Sequence, residues 1–425
     1  MSNLRFIERL LDGAEVDWIP LKKLGTWYGG GTPSKTRDEF WENGTIPWVS
    51  PKDMGRPIVD SSEDYITEAA IDGSSTRLVP ANSVALVVRS SILDKKLPTA
   101  FIPVPVTLNQ DMKAVIPHKT INTRYVAHLI TSRGDDILRA ARKTGGSVAS
   151  IDSGKLYSFL VPIPCPSDPK RSLEIQGEIV RILDTFTELT AELTAELTAR
   201  KKQYNYYRDQ LLAFEDGEPQ IPLSDCCESI ADGDHQAPQK TEKGVPFITI
   251  SDISAVNQID FTKARFVSEA YYDRLDDKRK ARTNDILYTV VGSFGIPVHI
   301  IDDKKFAFQR HIAILRPNPA ILMPRYMYHV FRSSGFFRQA QSVATGAAQK
   351  TVTLTALNRM RMAVPSLDKQ ARIVSILDKF DSLTNSITEG LPREIKLRQK
   401  QYEYYRDLLL SFPKPDGIAI GSNDE

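Results

Sequence analysis

The residue types that could do chemistry are present in this chain, but they rarely stand at the spacing that catalysis requires. The run from Gly31 to Thr36 resembles a phosphate-binding loop, yet no glycine precedes Lys35 and no long apolar strand leads into it. Histidines, lysines and carboxylates occur throughout without the spacing of a nuclease or of a nucleophile–base triad. The sequence therefore predicts no catalytic residue in this chain.

The three cysteines do not indicate a metal site. Cys226 and Cys227 are adjacent and Cys165 lies far from both, which gives neither a zinc spacing nor an even disulfide framework. We expect free thiols in a reducing cytoplasm and no bound metal. No apolar run reaches the length of a transmembrane helix, and the N-terminus lacks the apolar core of a signal peptide. We therefore expect a soluble cytoplasmic protein.

The bulk composition is that of an ordinary globular protein. The chain has 425 residues, of which 41% are hydrophobic and 25% charged, and this length is enough for two to four domains. A formal net charge of +2 does not by itself indicate a nucleic-acid partner. Any basic surface must therefore be local.

The chain repeats itself after about 200 residues, which indicates two whole units in tandem rather than a solenoid. A tyrosine-rich signature at Gln203–Phe214 returns at Gln401–Phe412, and the block Arg124–His128 returns at Arg325–His329. Two similar units in one chain form a pseudo-dimer, and such an arrangement suits a two-part target.

The sequence of each unit predicts an α+β domain that is rich in loops. Short β-rich runs at Ala85–Val88 and Ile286–Val291 are bracketed by glycine, proline, asparagine and serine. The stretch from Arg124 to Lys143 carries apolar residues at helical spacing. We expect a small mixed sheet packed against helices in each unit, with the two units related by a pseudo-two-fold axis.

Long helices are expected to join the two domains. From Ser172 an apolar stripe predicts a helix of some 40 residues, about 60 Å long. The second copy has a matching stripe, so we expect an antiparallel coiled-coil pair, with a break at Gly390 and Pro392. The predicted segments are a first domain at 1–165, a first helix at 166–216, a second domain at 217–365, a second helix at 366–413 and a disordered tail at 414–425.

A four-residue repeat lies inside the first helix. Thr190-Ala191-Glu192-Leu193 is followed by Thr194-Ala195-Glu196-Leu197, and each copy adds about 6 Å and roughly 40° of rotation to a helix. Leucines spaced by four also fill the apolar stripe of a helix bundle, and the sequence leaves this alternative open.

Together these features resemble the specificity subunit of a type I restriction-modification enzyme, subtype IC. The features are the tandem units, the helices that end in Gln-Tyr-x-Tyr-Tyr-Arg-Asp, the tetrapeptide repeat, and Gly29–Lys35 followed by Ile46–Trp48. The resemblance covers essentially the whole chain.

This resemblance implies a noncatalytic DNA-targeting subunit. Its two target-recognition domains would read the two halves of a split, asymmetric DNA sequence, and its helices would set the spacer and dock two adenine-N6 methyltransferase subunits. Two ATP-dependent restriction subunits would attach to the methyltransferases, so S-adenosylmethionine, ATP and Mg would be bound by partners and not by this chain. A self-contained methyltransferase or nuclease and a coiled-coil scaffold are the alternatives. The lack of an Asn-Pro-Pro-Tyr-like motif argues against the former.

In this family the number of tetrapeptide repeats tunes the spacer, so the resemblance assigns Thr190, Leu193, Thr194 and Leu197 to a molecular ruler. One base pair of B-DNA turns the duplex by about 34 to 36° and advances it by about 3.4 Å. The rotation per repeat matches one base pair and the rise does not.

Reading DNA would require hydrogen-bond donors on loops, since Arg or Lys favours guanine and Asn or Gln favours adenine. In the first unit the candidates are Lys35, Asn109, Gln110, Lys113, Lys143, Thr144, Gly145 and Ser147. In the second unit they are His235, Gln236, Gln309, Arg310, His311, Thr345, Gly346, Gln349 and Lys350. We expect glycines in these loops to let backbone N–H groups approach phosphates. Gln110 matches Gln309 at an offset of 199, and strand capping is the open alternative for this pair.

The tyrosine signature has two candidate roles. Tyr204, Tyr207, Tyr402 and Tyr405 are expected either to pack within the helix bundle or to dock a methyltransferase subunit, rather than to stack on bases. The repeated Arg124–His128 block is expected to belong to the scaffold that both units share.

Overall fold

The protein divides into two compact units, each of which draws on both copies of the repeat. The structure is a computed structural model that describes residues 4–143, 147–213, 219–234, 238–254, 256–386 and 390–413. Unit 1 comprises the described residues of Met1–Ala191 and Leu397–Glu425, and unit 2 comprises those of Glu192–Lys396. Each unit therefore contains one sheet-bearing copy together with the tyrosine-bearing end of the other copy's helix. The five segments predicted from the sequence stay a prediction, and the predicted tail, 414–425, lies outside the described residues.

The described residues of unit 1 form ten short strands and six helices. The strands are β1 Val16–Pro20, β2 Gly25–Gly29, β3 Ile46–Val49, β4 Tyr65–Ile66, β5 Leu78–Val79, β6 Ser83–Val87, β7 Thr99–Ile102, β8 Val106–Leu108, β9 Met112–Pro117 and β10 Leu160–Pro164. The helices are α1 Leu4–Leu11, α2 Glu68–Asp72, α3 Thr123–Ser132, α4 Gly134–Ala141, α5 Ser153–Ser158 and α6 Pro169–Leu211, the last of which continues into unit 2. Short 3₁₀ turns lie at Leu21–Leu24, Asp38–Phe40, Pro51–Asp53 and Ser91–Asp94.

The strands of unit 1 form three sheets. An antiparallel sheet has the order β2-β9-β6-β7, and a mixed sheet has the order β4-β3-β8-β5 with β3 and β8 parallel. Strands β1 and β10 form a separate antiparallel ribbon. Every residue of the central strand β6 is buried, because β6 is paired on both sides and packed on both faces.

Unit 2 repeats this layout. Its strands are β11 Gln220–Pro222, β12 Cys227–Asp232, β13 Val245–Ile248, β14 Arg265–Val267, β15 Ile286–Thr289, β16 Pro297–His299, β17 Ala307–Phe308, β18 Ile312–Pro317 and β19 Arg361–Ala363. Its helices are α7 Leu223–Cys226, α8 Glu269–Asp273, α9 Pro324–Phe331, α10 Ser334–Val343, α11 Leu354–Arg359 and α12 Leu367–Asn385, followed by α13 Gly390–Leu409, which ends in unit 1. The 3₁₀ turns are at Ile250–Asp252, Phe261–Lys263 and Asp277–Arg279.

The sheets of the two units match, except that β5 has no counterpart among the described residues of unit 2. The order β12-β18-β15-β16 corresponds to β2-β9-β6-β7, the order β14-β13-β17 to β4-β3-β8, and the ribbon β11-β19 to β1-β10. A local detail repeats as well: Ser50 donates its backbone N–H to Asp53 over 2.8 Å, and Thr249 does the same to Asp252 over 2.8 Å. The tandem repeat is thus a repeat of topology, and the expected α+β architecture is confirmed.

Both long helices contribute to the core of each unit. In unit 1, Ile179 and Leu183 of α6 and Leu409 of α13 are fully buried in the cluster that includes β6 and α3. In unit 2, Tyr204 of α6 and Leu377 of α12 are buried in the cluster around β15 and α9. Each such apolar side chain stabilises its unit by on the order of 1.5–3 kcal/mol. None of the helices in the described ranges is long and apolar enough to cross a membrane.

The predicted break in the second long helix is confirmed. α12 ends at Asn385 and α13 begins at Gly390, while residues 387–389 lie outside the described ranges. Gly390 has a φ of +70°, and a Cβ there would stand 2.6 Å from the carbonyl oxygen of Leu383. Glycine is therefore required at this junction.

Candidate nucleic-acid interface

The candidate loops of unit 1 meet at one edge of its antiparallel sheet. The turn Asn109–Asp111 joins β8 to β9 and accepts the backbone N–H of Val88, at the end of β6, on the carbonyl of Asp111 over 2.8 Å. Gly31, which follows β2, donates its backbone N–H to Leu108 over 2.8 Å. The loop that carries Lys35 therefore starts beside the turn that carries Asn109 and Gln110.

The segment after α4 comes to the same edge. Ile151 donates its backbone N–H to the carbonyl of Val88 over 2.8 Å, and Ser150 forms an isolated β-bridge with Arg89. Lys143 in turn donates its backbone N–H to Ser150 over 2.9 Å. Lys143 is thus joined through Ser150 to the end of β6, and Ser147 lies three residues before Ser150 in the same segment, whereas the predicted residues Thr144 and Gly145 lie outside the described residues.

Unit 2 brings its own candidate loops together in the same way. Val290, at the end of β15, donates its backbone N–H to His311 over 2.9 Å, and Val352 donates to Val290 over 2.8 Å. Gly292 donates to Lys350 over 2.8 Å, which joins the loop that carries Thr345, Gly346 and Gln349 to this edge. His235 and Gln236 lie outside the described residues, but the preceding Asp234 forms a β-bridge with Gln309.

The backbone also corrects the predicted match between Gln110 and Gln309. Asn109 donates its N–H to Val49 over 2.8 Å, and Gln309 donates to the equivalent Ile248 over 2.9 Å. The pairs Asn109 and Gln309, and Gln110 and Arg310, therefore occupy equivalent places. The predicted match was therefore wrong by one residue. The offset between the copies is 200 in this turn, so Gln309 is equivalent to Asn109, and Gln110, the residue next to Asn109, was matched only because it is also a glutamine.

The side chains of this turn divide into held and exposed groups. Asn109 is 9% exposed and accepts the backbone N–H of Asp111 on Oδ1 over 2.7 Å, so it stabilises the turn. Gln309 lies with Nε2 2.9 Å from Nδ1 of His311. Burial, aided by the charge of Arg310, lowers the pKa of His311 below its ordinary value and favours the neutral ring. Gln110 and Arg310 are exposed, although Gln110 also accepts the hydroxyl hydrogen bond of Thr32.

Most of the other candidates are exposed polar residues. They are Lys35, Lys143, Ser147, Thr345, Gly346, Gln349 and Lys350. Lys113 is half-buried, and its ammonium lies 5.4 Å from the ring centre of Tyr157. Exposed amides, hydroxyls and cations at one edge can donate hydrogen bonds to phosphates and base edges.

Two positions at these edges require glycine for a structural reason that the sequence did not reveal. A Cβ at Gly30 would stand 1.8 Å from the carbonyl oxygen of Asn109, and one at Gly346 would stand 2.3 Å from that of Gln349. Both glycines are thus required by the close approach of two chain segments. Their predicted contact with phosphates stays a prediction.

A second constellation holds the tyrosine signature of α6 in unit 2. Tyr204 is 2% exposed, and its hydroxyl lies 3.3 Å from Nδ1 of His329, whose Nε2 lies 2.7 Å from Asp378. Arg325 pairs with Asp378 over 2.6 Å and with Asp381 over 2.7 Å. We call Tyr204, His329, Asp378 and Arg325 the unit 2 anchor.

Unit 1 contains the same arrangement around the end of α13. The hydroxyl of Tyr402 lies 3.1 Å from Nδ1 of His128, and Nε2 of His128 lies 2.8 Å from Asp184. Arg124 pairs with Asp184 over 2.8 Å. These four residues form the unit 1 anchor, and the expectation that the repeated Arg–Tyr–x–x–His block is scaffold is consistent with this use.

The electrostatics of the unit 2 anchor favour one set of proton positions. Burial would raise the pKa of Asp378, but its hydrogen bond to His329 and the charge of Arg325 outweigh burial and hold that pKa below the usual range. Burial lowers the pKa of His329 and raises the pKa of Tyr204 to about 12. Near neutral pH the neutral imidazole therefore donates from Nε2 to the carboxylate and accepts the tyrosine hydroxyl on Nδ1.

Sequence reasoning missed the carboxylates of both anchors. Asp184 and Asp378 each follow an Ile-Leu pair in the two copies, at an offset of 194 that differs from the 198 of the tyrosine signature. The recurrence of Ile-Leu-Asp in both copies was the signal from which these carboxylates could have been found. A second carboxylate, Asp381, is shared by Arg325 and Arg332 and has no aspartate at the matching position of the first copy.

The remaining tyrosines of the signature are exposed. Tyr207 stacks on Phe380 at 5.7 Å between ring centres, and Tyr405 stacks on Phe186 at 5.1 Å. Tyr206 and Tyr404 are 62% and 53% exposed. Packing within the chain thus accounts for Tyr204 and Tyr402, while docking of a partner by the signature stays a prediction.

The tetrapeptide repeat lies where α6 passes from one unit to the other. The boundary between the units falls between Ala191 and Glu192, and α6 is continuous through it. Thr190 donates its hydroxyl to the carbonyl of Phe186 over 2.8 Å, Leu193 and Leu197 are half-buried, and Thr194 is exposed. The residues assigned to the ruler therefore occupy the junction of the two units.

No group of three or more His, Cys, Asp or Glu residues suited to a metal ion occurs in the part of the chain that the structure describes. Burial raises the pKa of the Cys226 thiol to about 12, so the thiol stays protonated and is a poor nucleophile or ligand.

Comparison with known proteins identifies the family. The family model "Type I restriction modification DNA specificity domain" matches residues 15–200 and 221–397, once in each copy. The specificity subunit of the Escherichia coli type I restriction enzyme EcoprrI is 34% identical over 401 residues, which are 92% of this chain and 93% of that protein. The specificity subunit of EcoR124I/EcoR124II, also from Escherichia coli, is 62% identical over 200 residues. This second match spans 47% of the chain and only 49% of the relative's length.

Solved structures share the fold at low sequence identity. A type I restriction-modification S subunit from M. genitalium is 14% identical with a TM-score of 0.54, covering 95% of this chain and 98% of that one. A chain from a structural study of assembly and conformational transition of the type I restriction-modification system is 15% identical with a TM-score of 0.60, covering 93% and 97%.

We predict that Tyr204→Phe loosens unit 2. The substitution removes the hydrogen bond to buried His329 and leaves its Nδ1 unpaired, which should cost about 1–3 kcal/mol. Hydrogen–deuterium exchange of α9 should become faster. Tyr206→Phe, at a 62% exposed neighbour, is the matched control and should change stability by less than about 0.5 kcal/mol. Equal exchange in the two variants would contradict the anchor.

Proposed function

Because the chain belongs to the type I restriction-modification DNA specificity family, we propose that it reads a bipartite, asymmetric DNA site, one half with each unit. The observation that carries this proposal is that the candidate loops meet at an equivalent sheet edge in each unit. Both units present exposed donors at the ends of matching strands, on frames of the same topology. Two readers on one chain suit a site with two separate halves.

The chemistry of the two edges differs where the frames agree. Gln110 and Asp111 of unit 1 stand where unit 2 has Arg310 and His311. An amide and a carboxylate favour other base edges than a guanidinium and an imidazole do. This difference supports two half-sites of unlike sequence, as an asymmetric target requires.

Catalysis would come from partner subunits. We infer that the chain docks two adenine-N6 methyltransferase subunits, which use S-adenosylmethionine, and through them two restriction subunits that use ATP and Mg. Exposed aromatic residues are enriched at protein interfaces, and Tyr206 and Tyr404 provide one such residue at the end of each long helix. Their equivalent places in the two copies support one docking surface for each methyltransferase.

The helices would also set the spacer between the half-sites. The tetrapeptide repeat lies at the junction of the units, so extra residues there lengthen α6 without changing a contact inside either anchor. Asp184 and Tyr204, which belong to different anchors, are joined by an uninterrupted helix. A change of helix length between them is what a ruler needs.

The proposal predicts that activity depends on the partner. Purified chain mixed with DNA and S-adenosylmethionine should transfer no methyl groups, and the methyltransferase subunit alone should mark no defined motif. The two together should produce N6-methyladenine at one split motif, which single-molecule sequencing detects. Methylation by the chain alone would contradict the proposal and favour a self-contained methyltransferase. Methylation by the pair without a split motif would contradict two-part reading.

A second prediction concerns the ruler. Insertion of one Thr-Ala-Glu-Leu after Leu197 should lengthen the spacer by about one base pair, because the rotation of roughly 40° that it adds to α6 matches the turn of one base pair. Both half-site sequences should stay the same in methylome sequencing. The control is the double variant Thr190→Ala with Thr194→Ala, which keeps the helix length and should keep the spacer. An unchanged spacer after the insertion, or altered half-site letters, would refute the ruler.

A further inference from the structure

Arg89 stands at the point where the candidate loops of unit 1 meet. It lies two residues after the end of β6, forms a β-bridge with Ser150 of the segment after α4, and donates its backbone N–H to the carbonyl of Asp111 over 3.3 Å. Its side chain is 55% exposed. An arginine that is fixed at its backbone by two of the converging loops is well placed to reach a ligand at this edge.

The side chain of Arg89 is positioned as well as its backbone. Its Nε donates to Oδ1 of Asp111 over 2.5 Å, and the carboxylate of Asp111 is only 22% exposed. Asp111 is itself fixed, because its backbone N–H donates to Oδ1 of Asn109 over 2.7 Å. Asp111 therefore holds the guanidinium in one orientation before any ligand binds, which reduces the conformational entropy that the side chain loses on binding.

The outer edge of this guanidinium is available. Among the residues that the structure describes, Asp111 is the hydrogen-bond partner of Arg89 through Nε, and Nη1 and Nη2 have none. These two nitrogens form a planar fork of N–H donors. In the major groove, the O6 and N7 atoms of guanine form the matching pair of acceptors, and no other base presents two acceptors there.

We propose that Arg89, held by Asp111, reads a guanine in the half-site of unit 1 through a two-pronged hydrogen bond from Nη1 and Nη2 to O6 and N7. Asp111 acts as a positioning residue, which fixes the arginine without touching the base. The inference rests on the proposed function, because it assumes that this edge of unit 1 faces DNA.

The matching place in unit 2 supports a reading role over a scaffold role. Val290 and Val88 make the same backbone contacts, so Val291 stands where unit 1 has Arg89, and His311 stands where it has Asp111. Both members of the Arg89–Asp111 pair are thus different in unit 2, although the two units share the same topology. A salt bridge that the fold required would be expected in both copies.

A phosphate contact is the main competing use of an exposed arginine. It would lower affinity evenly for all sequences and reduce the salt dependence of binding by about one unit of slope. A base contact instead relaxes the preference at one position, by roughly 10-fold to 100-fold for a good two-pronged pair. The two roles are therefore separable by measuring sequence preference and salt dependence together.

The test uses the full-length chain in complex with its methyltransferase subunit. Methylation of a library of sites would be measured for the wild type, Arg89→Gln, Arg89→Lys and Asp111→Ala. Arg89→Gln should lower the preference for guanine at one position of one half-site by roughly 10-fold to 100-fold. The other half-site and the spacer should not change. Arg89→Lys keeps the charge but loses the fork, so it should show the same relaxed position, and Asp111→Ala should show a smaller relaxation there.

Arg56→Gln is the matched control. Arg56 is also an exposed arginine of unit 1 with a carboxylate partner, Asp60 at 3.1 Å, but it lies in the segment that packs on Phe101, near the start of β6. It should leave the motif unchanged. Folding of each variant can be followed by tryptophan fluorescence, because all four tryptophans belong to unit 1.

The outcomes separate this inference from the proposed function. An unaltered guanine preference in Arg89→Gln and Arg89→Lys would overturn the inference, as would an even loss over all sequences with a reduced salt slope. A half-site of unit 1 without guanine in either strand would also overturn it. If the wild-type complex marked no split motif, the proposed function itself would fail.

Discussion

A hydrogen bond between a tyrosine hydroxyl and a buried histidine ties each long helix to a unit formed by the other copy of the repeat. Tyr204 reaches His329, and Tyr402 reaches His128, with an aspartate behind each imidazole. The contact is costly to lose, because a buried ring nitrogen would be left unpaired. The two tyrosines also pack in or against the apolar cores, Tyr204 in that of unit 2 and Tyr402 against that of unit 1.

Anchoring of this kind separates the constant parts of the molecule from the variable ones. The anchors and the strand order repeat between the copies, whereas the residues at the ends of β6 and β15 differ in charge and hydrogen-bonding capacity. A fixed frame lets a loop change its chemistry without changing its position. The tetrapeptide repeat lies at the boundary of the units, outside both anchors.

Much of the architecture could be predicted because patterns in the sequence indicate it. The apolar period of α6 and the glycine and proline at the break before α13 are short-range signals, and the offset between the copies follows from comparing the sequence with itself. The hydrogen-bond partners of Tyr204 and Tyr402 could not be predicted, since His329 is 125 residues from Tyr204 and His128 is 274 residues from Tyr402. The one-residue error at Gln110 arose because a turn offers no periodicity to set its register. Arg89 was not among the candidates, because the two loops that hold its backbone meet it only in the folded structure.

The most direct test of the anchor is a double-mutant cycle of His128→Gln and Tyr402→Phe in the full-length chain. Urea unfolding of unit 1 can be followed by its tryptophans, all of which belong to that unit. We expect a coupling free energy of about 0.5–3 kcal/mol between the two residues. Effects that add to within about 0.3–0.5 kcal/mol would contradict it, because they would mean that the end of α13 does not hold unit 1 through this contact.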